Sequence, residues 1–429
     1  MIPRVSSNLM NDDMQFWTQR RERDMSSAET KMARQTRIEN LRDDPLAAAR
    51  AVRYDSVTSR LERYEKNAAW AQDQYKVSED YVRQSLDITQ RLREIAVQGA
   101  NGTYTKEDQK YMGQEVDQLL GELVNLANSR GADGTFLFSG DKSRTQPFRE
   151  ITGAAPGAAG EVLVGVQYLG AQGGPAAEVS EGDYMSLGQS GSDVFWAEKQ
   201  QVVSSYDARD WRASQDATII VDGKGIGVKA GDNVYAVAAK INDSGAAVKA
   251  TIDPRSFALS LETTTAHQLR LEDGPAIAGL GGANPGAGAT GTVLKELGLL
   301  APTGLPPDNL APSARVSGGS LFDVAIRLRD SLNKGDILET GGSAIAGIDA
   351  GVDNLNRRVA ELGARSERLQ SVSTRLNREI PDMTKIASEE TDLDLTKAIT
   401  DYKMLEVAHK ATLSFTGRLF PQTLLDFLR

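Results

Sequence analysis

One long helix with an apolar stripe constrains this chain more than any other feature of its sequence. Neither proline nor glycine occurs from position 46 to position 98. Small or apolar side chains recur every three or four residues in this stretch, at Val57, Leu61, Tyr64, Ala68, Ala71 and Tyr75. That period is typical of a helix packed along another helix. The pattern predicts a helix over 45–98, roughly 80 Å long at 1.5 Å per residue.

The start of this helix has its own signal. Asp43, Asp44 and Pro45 stand directly before the long stripe. Acidic side chains are favourable at the positive N-terminal end of a helix dipole, and proline suits the first helical turn because its missing N–H is not needed there. We therefore interpret Asp43, Asp44 and Pro45 as a helix-start motif.

Two further apolar stripes lie near the other end of the chain. The first steps by three and four over more than four heptads, and a second amphipathic stretch follows it. Both are predicted to form an assembly interface between subunits, with packing inside one coiled coil as the alternative for the first stripe. We expect Pro381 to kink or interrupt the first helix. The predicted interface residues are Val352, Leu355, Val359, Leu362, Leu369, Leu376, Leu395, Ile399, Tyr402, Leu405, Phe415, Leu419, Leu425 and Leu428.

The middle of the chain has a different character. It is rich in glycine, alanine and proline and contains short β-like runs, best organised over 217–272. Thr105 is expected to open a second helix through a capping box, and residues 136–138 to form a short hairpin. The stretch 280–320 is expected to be a poorly ordered linker because glycine and proline dominate it.

These patterns predict an α+β fold that is mainly α with an inserted β domain. Both chain termini would form a long coiled-coil stalk, with the β-rich domain at its tip. The expected parts are a mobile assembly segment (1–44), the N-terminal half of the stalk with a β-hairpin (45–150), the inserted β-rich domain (151–315, containing the module 217–272), the C-terminal half of the stalk (316–390) and an assembly helix (391–429).

Composition argues against several classes of function. A net charge of −10 disfavours nucleic acid as a partner, because phosphate binding needs a clustered basic surface. The chain has no cysteine and only two histidines, His267 and His409, which we interpret as structural or surface residues. Neither a signal peptide nor a membrane span is expected. We predict no catalytic, cofactor or metal site, no small-molecule substrate and no enzyme activity.

Two motifs that suggest phosphate binding are discounted. Residues 286–291 match the dinucleotide pattern G-x-G-x-x-G, but the glycine- and proline-containing residues before them do not favour the strand that the motif requires. Residues 140–143 end like a phosphate-binding loop, but the first glycine of that motif is absent and Asp141 would repel phosphate. Both are interpreted as loops.

The terminal regions resemble a known family. Residues 37–51, 92–103 and 119–140, together with 392–402 and 424–428, are similar to the sequence blocks of the hook-associated protein 3 family of flagellar junction proteins, in the flagellin superfamily. Residues 217–272 also resemble the small β module of flagellins and hook-associated proteins. The resemblance covers about the first 150 and last 80 residues.

The resemblance implies a structural subunit of the bacterial flagellum that joins hook to filament. It implies type III export with an export chaperone, assembly into a ring of copies, and contacts with hook-associated protein 1 and flagellin. The flagellum could be extracellular or periplasmic. The alternatives are a flagellin that builds the filament shaft, and a secreted coiled-coil effector or an enzyme with an unrecognised site in the inserted domain.

Overall fold

The chain folds into two compact units, each described by itself. The computed structural model describes residues 7–40, 42–155, 160–274, 292–304, 306 and 309–419. The terminal unit combines Met1–Lys66 with Ser373–Arg429, and the central unit is Asn67–Val372. Both ends of the chain are helical and the middle is rich in strands, so the predicted α+β class is confirmed.

Ten α-helices occur in the described residues. Their bounds are α1 Ser7–Arg34, α2 Pro45–Gly99, α3 Lys106–Ala127, α4 Gly191–Val194, α5 Val234–Asp243, α6 Val293–Glu296, α7 Leu321–Lys334, α8 Ile337–Glu339, α9 Ile345–Thr391 and α10 Leu395–Leu419. A π-helical turn, Thr340–Ala344, joins α8 to α9. Helix α3 starts as predicted, because Thr105 and Asp108 form a reciprocal capping box.

The strands form four small sheets in the described part of the chain. Their bounds are β1 Phe148–Ala154, β2 Glu161–Tyr168, β3 Ala176–Ser180, β4 Asp183–Ser186, β5 Gln201–Val203, β6 Ala217–Val221, β7 Lys224–Val228, β8 Val248–Ile252, β9 Leu259–Thr263, β10 Leu271–Asp273 and β11 Arg315–Ser317. The sheet orders are β1-β2, β3-β4, β10-β6-β7 and β11-β5-β9-β8, and all pairs are antiparallel.

Helix α9 runs antiparallel to α2 in the central unit. The Gln72 side chain donates to Gln370 at 2.6 Å, and Arg93 donates to Asp349 at 2.5 Å. Gln72 and Arg93 are 21 residues apart in α2, and Asp349 and Gln370 are 21 residues apart in α9. The two helices therefore keep one register over three heptads. The buried stripe of α2 steps by four and three through Ala68, Ala71, Tyr75, Ser78, Val82, Ser85, Thr89 and Leu92.

Two hydroxyl groups in this stripe, those of Ser85 and Thr89, are satisfied within α2. Ser85 donates to the carbonyl oxygen of Tyr81, and Thr89 donates to that of Ser85. Such bonds to the preceding turn let small polar residues lie in a helix interface without leaving a buried donor unsatisfied. The stripe therefore alternates large apolar side chains with small ones that allow close approach.

An aromatic core holds β1 and β2 to the helices of the central unit. The ring of Phe148 lies 5.1 Å from those of Tyr168 and Phe322 and 5.4 Å from that of Phe195. Phe138 packs edge-on against Phe195 at 5.1 Å. All five rings are buried. Offset and edge-on pairs of this kind stabilise a core beyond the area that they bury.

The module 217–272 has a hydrophobic core of its own. Ile219 and Val221 of β6, Val237 and Ile241 of α5, and Leu261 of β9 are among its buried residues. Buried side chains from outside the predicted module complete that core, and they include Val293, Leu294, Leu297, Leu299 and Leu300.

The segment 1–44 contains α1, whose half-buried residues Thr18, Arg21, Met25, Ala28 and Met32 repeat at helical spacing, and its mobility stays a prediction. Several other expectations are corrected. Pro381 lies inside α9 without interrupting it. Residues 136–138 form no hairpin; instead they are buried in the central unit. Part of 280–320 is ordered as α6 and β11, because its leucines complete the module core.

Candidate assembly surfaces

Helices α1 and α10 pack against each other in the terminal unit and run antiparallel. The Tyr402 hydroxyl of α10 donates to the carboxylate of Glu29 in α1 at 2.6 Å. Where α1 ends and α10 begins, the Arg37 amide donates to the Thr391 carbonyl at 2.8 Å, and the Leu393 amide donates to the Gln35 carbonyl at 3.0 Å. The segment that follows α1 and the segment that precedes α10 are therefore joined by backbone hydrogen bonds.

The helix-start motif belongs to the same corner of the terminal unit. Asp44 accepts the backbone N–H of Ala47 at 3.0 Å, which caps the first turn of α2, and pairs with Arg37 at 3.1 Å. Asp43 accepts the backbone N–H groups of Glu39 and Asn40. Backbone hydrogen bonds are the main reason why the pKa values of both carboxyl groups lie below their ordinary value.

One face of α10 is covered by α1. The half-buried residues of α10 include a series that steps by four, three, four and three, namely Ala398, Tyr402, Leu405, His409 and Thr412. Half-buried residues of α1 repeat in the same way, and Tyr402 contacts Glu29 directly. This arrangement is a short two-helix seam. His409, interpreted from the sequence as a structural or surface residue, lies on this covered face.

The opposite face of α10 carries a second apolar series, which we call the exposed stripe. It consists of Met404, Val407, Ala411 and Phe415, spaced by three, four and four residues. Met404 is 63% exposed, Val407 67% and Phe415 64%. At about 100° per residue, these four side chains share a face that points away from the α1 side. Met404, Val407 and Ala411 line a shallow groove with Ile399 and Thr400.

Two exposed aromatic side chains lie in α1. Phe16 is 53% exposed and Trp17 50%, and their rings meet edge-on at 5.6 Å. The Arg20 guanidinium lies 5.5 Å from the Trp17 ring. Large aromatic and arginine side chains are common in the energetically important part of protein interfaces.

The structure separates the predicted interface residues into groups. Four of them, Leu355, Leu362, Leu369 and Leu376, are buried inside the chain and are core residues here. The predicted interface is therefore limited to the interface residues that remain accessible. Val352, Val359, Tyr402 and Leu405 are half-buried, and Leu395, Ile399 and Phe415 are exposed. Leu419 ends α10, and Leu425 and Leu428 lie outside the described residues.

Sequence reasoning missed most of the exposed stripe. It joined Leu395, Ile399, Tyr402, Leu405 and Phe415 into one series, although these residues lie on different faces of α10. The signal that was available is the spacing of Met404, Val407, Ala411 and Phe415, read as a second series on the same helix.

The other motifs show no binding geometry in the described residues. The dinucleotide-like sequence 286–291 lies outside them. Within them, no group of three or more histidine, cysteine, aspartate or glutamate side chains is arranged to hold a metal ion. The helices that the structure describes include none with the length and apolar character of a membrane span.

Comparisons with known families match both the helical N-terminal region and the β module. Residues 5–143 match the bacterial flagellin N-terminal helical region, and residues 220–265 match the flagellin hook IN motif. The second match lies inside the module 217–272. The first includes α1, α2 and α3.

Curated relatives are flagellar proteins. The chain is 23% identical over 207 residues to flagellar hook-associated protein 3 of Salmonella typhimurium strain LT2, a match that covers 48% of this chain and 61% of the relative. It is 35% identical over 118 residues to flagellin FlaB1 of Treponema pallidum strain Nichols, covering 28% and 41%. The matches thus span about two fifths to three fifths of these relatives.

A crystal structure of flagellar hook associated protein-3 from Legionella pneumophila aligns with 78% of this chain and 97% of its own length, at 16% identity and a TM-score of 0.46. The resemblance stated from the sequence is confirmed by the two family matches and the curated relatives. This chain is similar to the flagellin superfamily of bacterial flagellar proteins over its helical N-terminal region and its β module.

Proposed function

We propose that this chain is a structural subunit of the bacterial flagellum that joins the hook to the filament through coiled-coil assembly of its terminal helices. The observation that carries the proposal is the exposed stripe of α10, because an apolar series on the terminal unit has no cover within the described residues. The similarity to hook-associated protein 3 over 207 residues supports the junction role.

Burial of the exposed stripe against a second subunit would stabilise an assembly. Fully burying a side chain such as Met404, Val407 or Phe415 contributes about 1.5–3 kcal/mol. Ordering two helices at an interface costs conformational entropy of similar size for each residue that is fixed. Helix α10 is already paired with α1 in the terminal unit, so part of this cost is met before a second subunit binds.

The proposed partners are flagellar axial proteins. They are further copies of this chain in a ring, hook-associated protein 1 on the hook side and flagellin on the filament side, with an export chaperone before assembly. The role is structural and not enzymatic. The four leucines of α9 that the chain buries itself would serve the subunit's own helix pair, and the exposed stripe would serve the contact between subunits.

A double substitution in the exposed stripe tests this role. Val407→Ser with Phe415→Ser should leave the helical content and unfolding temperature of the monomer nearly unchanged, because both side chains face solvent. Cells that carry the variant should make hooks but release flagellin into the medium. Motility on soft agar and flagellin in the culture supernatant are the measurements.

Leu338→Ser is the matched control for this experiment. Leu338 is 89% exposed but lies in α8, in the central unit. The control should leave motility and filament retention intact. If the double variant also retains its filaments, the exposed stripe does not carry the junction.

A flagellin that builds the filament shaft is the second candidate, favoured by the 35% identity to flagellin FlaB1. Purified flagellin should grow into long filaments on filament seeds. A junction protein should stop at short assemblies or require hook components. Electron microscopy of the purified full chain with and without hook fragments separates the two roles.

A further inference from the structure

A buried histidine–aspartate pair lies at the edge of the β module, in the central unit. His267 follows β9 and is 5% exposed. Its Nε2 lies 2.9 Å from Oδ2 of Asp222, which occupies the turn between β6 and β7. Asp222 adopts a left-handed backbone conformation, with φ of 46°. The pair has no part in the proposed assembly surface.

Both imidazole nitrogens face hydrogen-bond acceptors. The carboxylate of Asp222 lies at Nε2, and the backbone carbonyl of Thr265 lies 3.0 Å from Nδ1. A carboxylate and a carbonyl only accept, so the full set of bonds requires a proton on each nitrogen. The Thr265 hydroxyl, 3.2 Å from Nδ1, can rotate to donate when that nitrogen has no proton. The site thus fits the imidazolium and also tolerates the neutral ring.

The same carboxylate connects the module to neighbouring segments of the central unit. Asp222 Oδ1 accepts from the Gln172 side chain at 3.2 Å and from the Arg270 amide at 3.0 Å. Gln172, which lies between β2 and β3, also donates to the Gln268 carbonyl at 3.1 Å. Gln172 therefore bridges the turn between β6 and β7 and the segment between β9 and β10 from outside the module.

We propose that His267 is an imidazolium at pH 6.5 and that its pair with Asp222 is a charged latch holding the segment between β9 and β10 to the turn between β6 and β7, which loosens when the imidazole loses its proton. The latch makes the contact between these two parts of the module sensitive to pH.

Two carboxylates act on the pKa of this histidine, and further charged groups lie near it. Burial alone lowers the pKa of His267, but the hydrogen bond and charge of Asp222, together with the charge of Asp193, raise it above its ordinary value of 6.5. Burial also raises the pKa of Asp193, which Arg358 opposes. The charged residues at or near the cavity beside the pair are Asp193, Asp222, Lys224, Arg358 and Glu361.

The sign of the effect follows from the raised pKa. Protonation is favoured in the folded state, so the latch is fully present below pH 6.5 and is lost as pH rises through the higher pKa of the folded protein. Each unit of difference between the two pKa values changes the opening equilibrium about tenfold.

Nuclear magnetic resonance of the imidazole nitrogens tests the protonation directly, because the chain has only two histidines. In the full-length protein, His267 should show two protonated nitrogens at pH 6.5 and titrate above that value. His409→Gln assigns the signals. A His267 ring that is already neutral at pH 6.5 overturns the proposal.

Hydrogen exchange tests the latch. Corrected for intrinsic rates, exchange at the Leu269 and Arg270 amides should increase roughly three- to tenfold from pH 6 to pH 8.5 in the wild type. His267→Gln keeps a side chain that can donate to Asp222 and should lose this pH dependence, whereas His409→Gln should keep it. Asp222→Asn, which suits the left-handed turn, should lose it as well. An unchanged pH dependence in His267→Gln contradicts the latch.

Discussion

Arg329 shows how single charged residues organise the central unit. This side chain of α7 is only 1% exposed. Its guanidinium donates to Asp117 of α3 at 2.8 Å, to the Leu163 carbonyl of β2 at 2.6 Å, and to the adjacent Asp330. One arginine therefore ties two helices and a strand together, and its burial is tolerated because its donors are matched by acceptors.

Replacing Arg329 by methionine should destabilise the central unit. The substitution keeps much of the side-chain volume but leaves the Leu163 carbonyl without this donor, so we expect a loss of about 2–4 kcal/mol in the free energy of unfolding. Urea unfolding followed by circular dichroism measures it. Arg327→Met on the same helix is the control, since Arg327 pairs with Glu198 in a more exposed position and should cost less than about 1 kcal/mol.

Asp44 should make the terminal unit sensitive to acid. The pKa of Asp44 is lowered by the Ala47 amide and by Arg37, so its contribution is present above pH 3.8 and is lost as pH falls through the lower folded pKa. Asp44→Asn keeps the capping oxygen but removes the charge. We expect the unfolding temperature of this variant to fall less than that of the wild type between pH 5 and pH 2.

Thermal unfolding followed by helical circular dichroism measures this difference. Asp55→Asn, an exposed change on the same helix, is the control and should follow the wild type. If Asp44→Asn and the wild type lose stability in parallel on acidification, Asp44 does not contribute through its charge.

Contacts of this kind are poorly predictable from sequence. The partners Arg329 and Asp117 are 212 residues apart, and His267 and Asp222 are 45 apart. The sequence around a single histidine or arginine contains no pattern that identifies its partner in the fold. The capping signals were predictable, because Thr105 and Asp108 are neighbours in the chain and their chemistry is local.

At the scale of elements, periodicity predicted the long helices and failed where polar residues enter a seam. Helices α2 and α9 were predictable because their stripes are long and mostly apolar or small. Helix α1 has no clear apolar stripe in the sequence because Thr18 and Arg21 belong to its covered face. The four-residue helix α6 was missed because glycine and proline surround it, although its leucines are buried in the module core.

Pro381 is an element-scale weakness in α9. It is exposed and lies inside a continuous helix, where proline removes one backbone hydrogen bond and crowds the preceding turn. Pro381→Ala should stabilise the terminal unit by about 1–3 kcal/mol. Urea unfolding measures the change, and the neighbouring exposed substitution Asp382→Ala should have an effect of no more than about 0.7 kcal/mol. A loss of stability in Pro381→Ala would show that the helix depends on the proline.

At the scale of the whole molecule, burial is unevenly divided between the two units. Among the described residues of the terminal unit, the buried apolar side chains are Ala47, Ala48, Ala51, Tyr64, Leu376 and Ala387. The central unit contains the remaining buried apolar residues, including the aromatic core and the module core. Much of the terminal unit's apolar surface thus remains available for contact with other molecules.

This division should be visible in hydrogen exchange of the isolated full-length chain. Amides of α1 and α10 should exchange about a hundredfold faster than those of α3 and α7, because opening the terminal unit exposes far less apolar surface. Mass spectrometry of peptic fragments measures this. Equal protection in α10 and α7 would contradict the division, and protection that appears in α10 only after mixing with hook fragments would support assembly through it.

The matched spacing of the Gln72–Gln370 and Arg93–Asp349 contacts limits how such a chain can change in length. One residue inserted into α2 between these contacts turns everything beyond it by about 100° and breaks the pairing with α9. Seven residues restore the apolar seam, but only when α9 gains seven as well. Homologous chains should therefore differ here by seven residues in both helices at once. Insertions in the loops of the β module are not limited to multiples of seven residues.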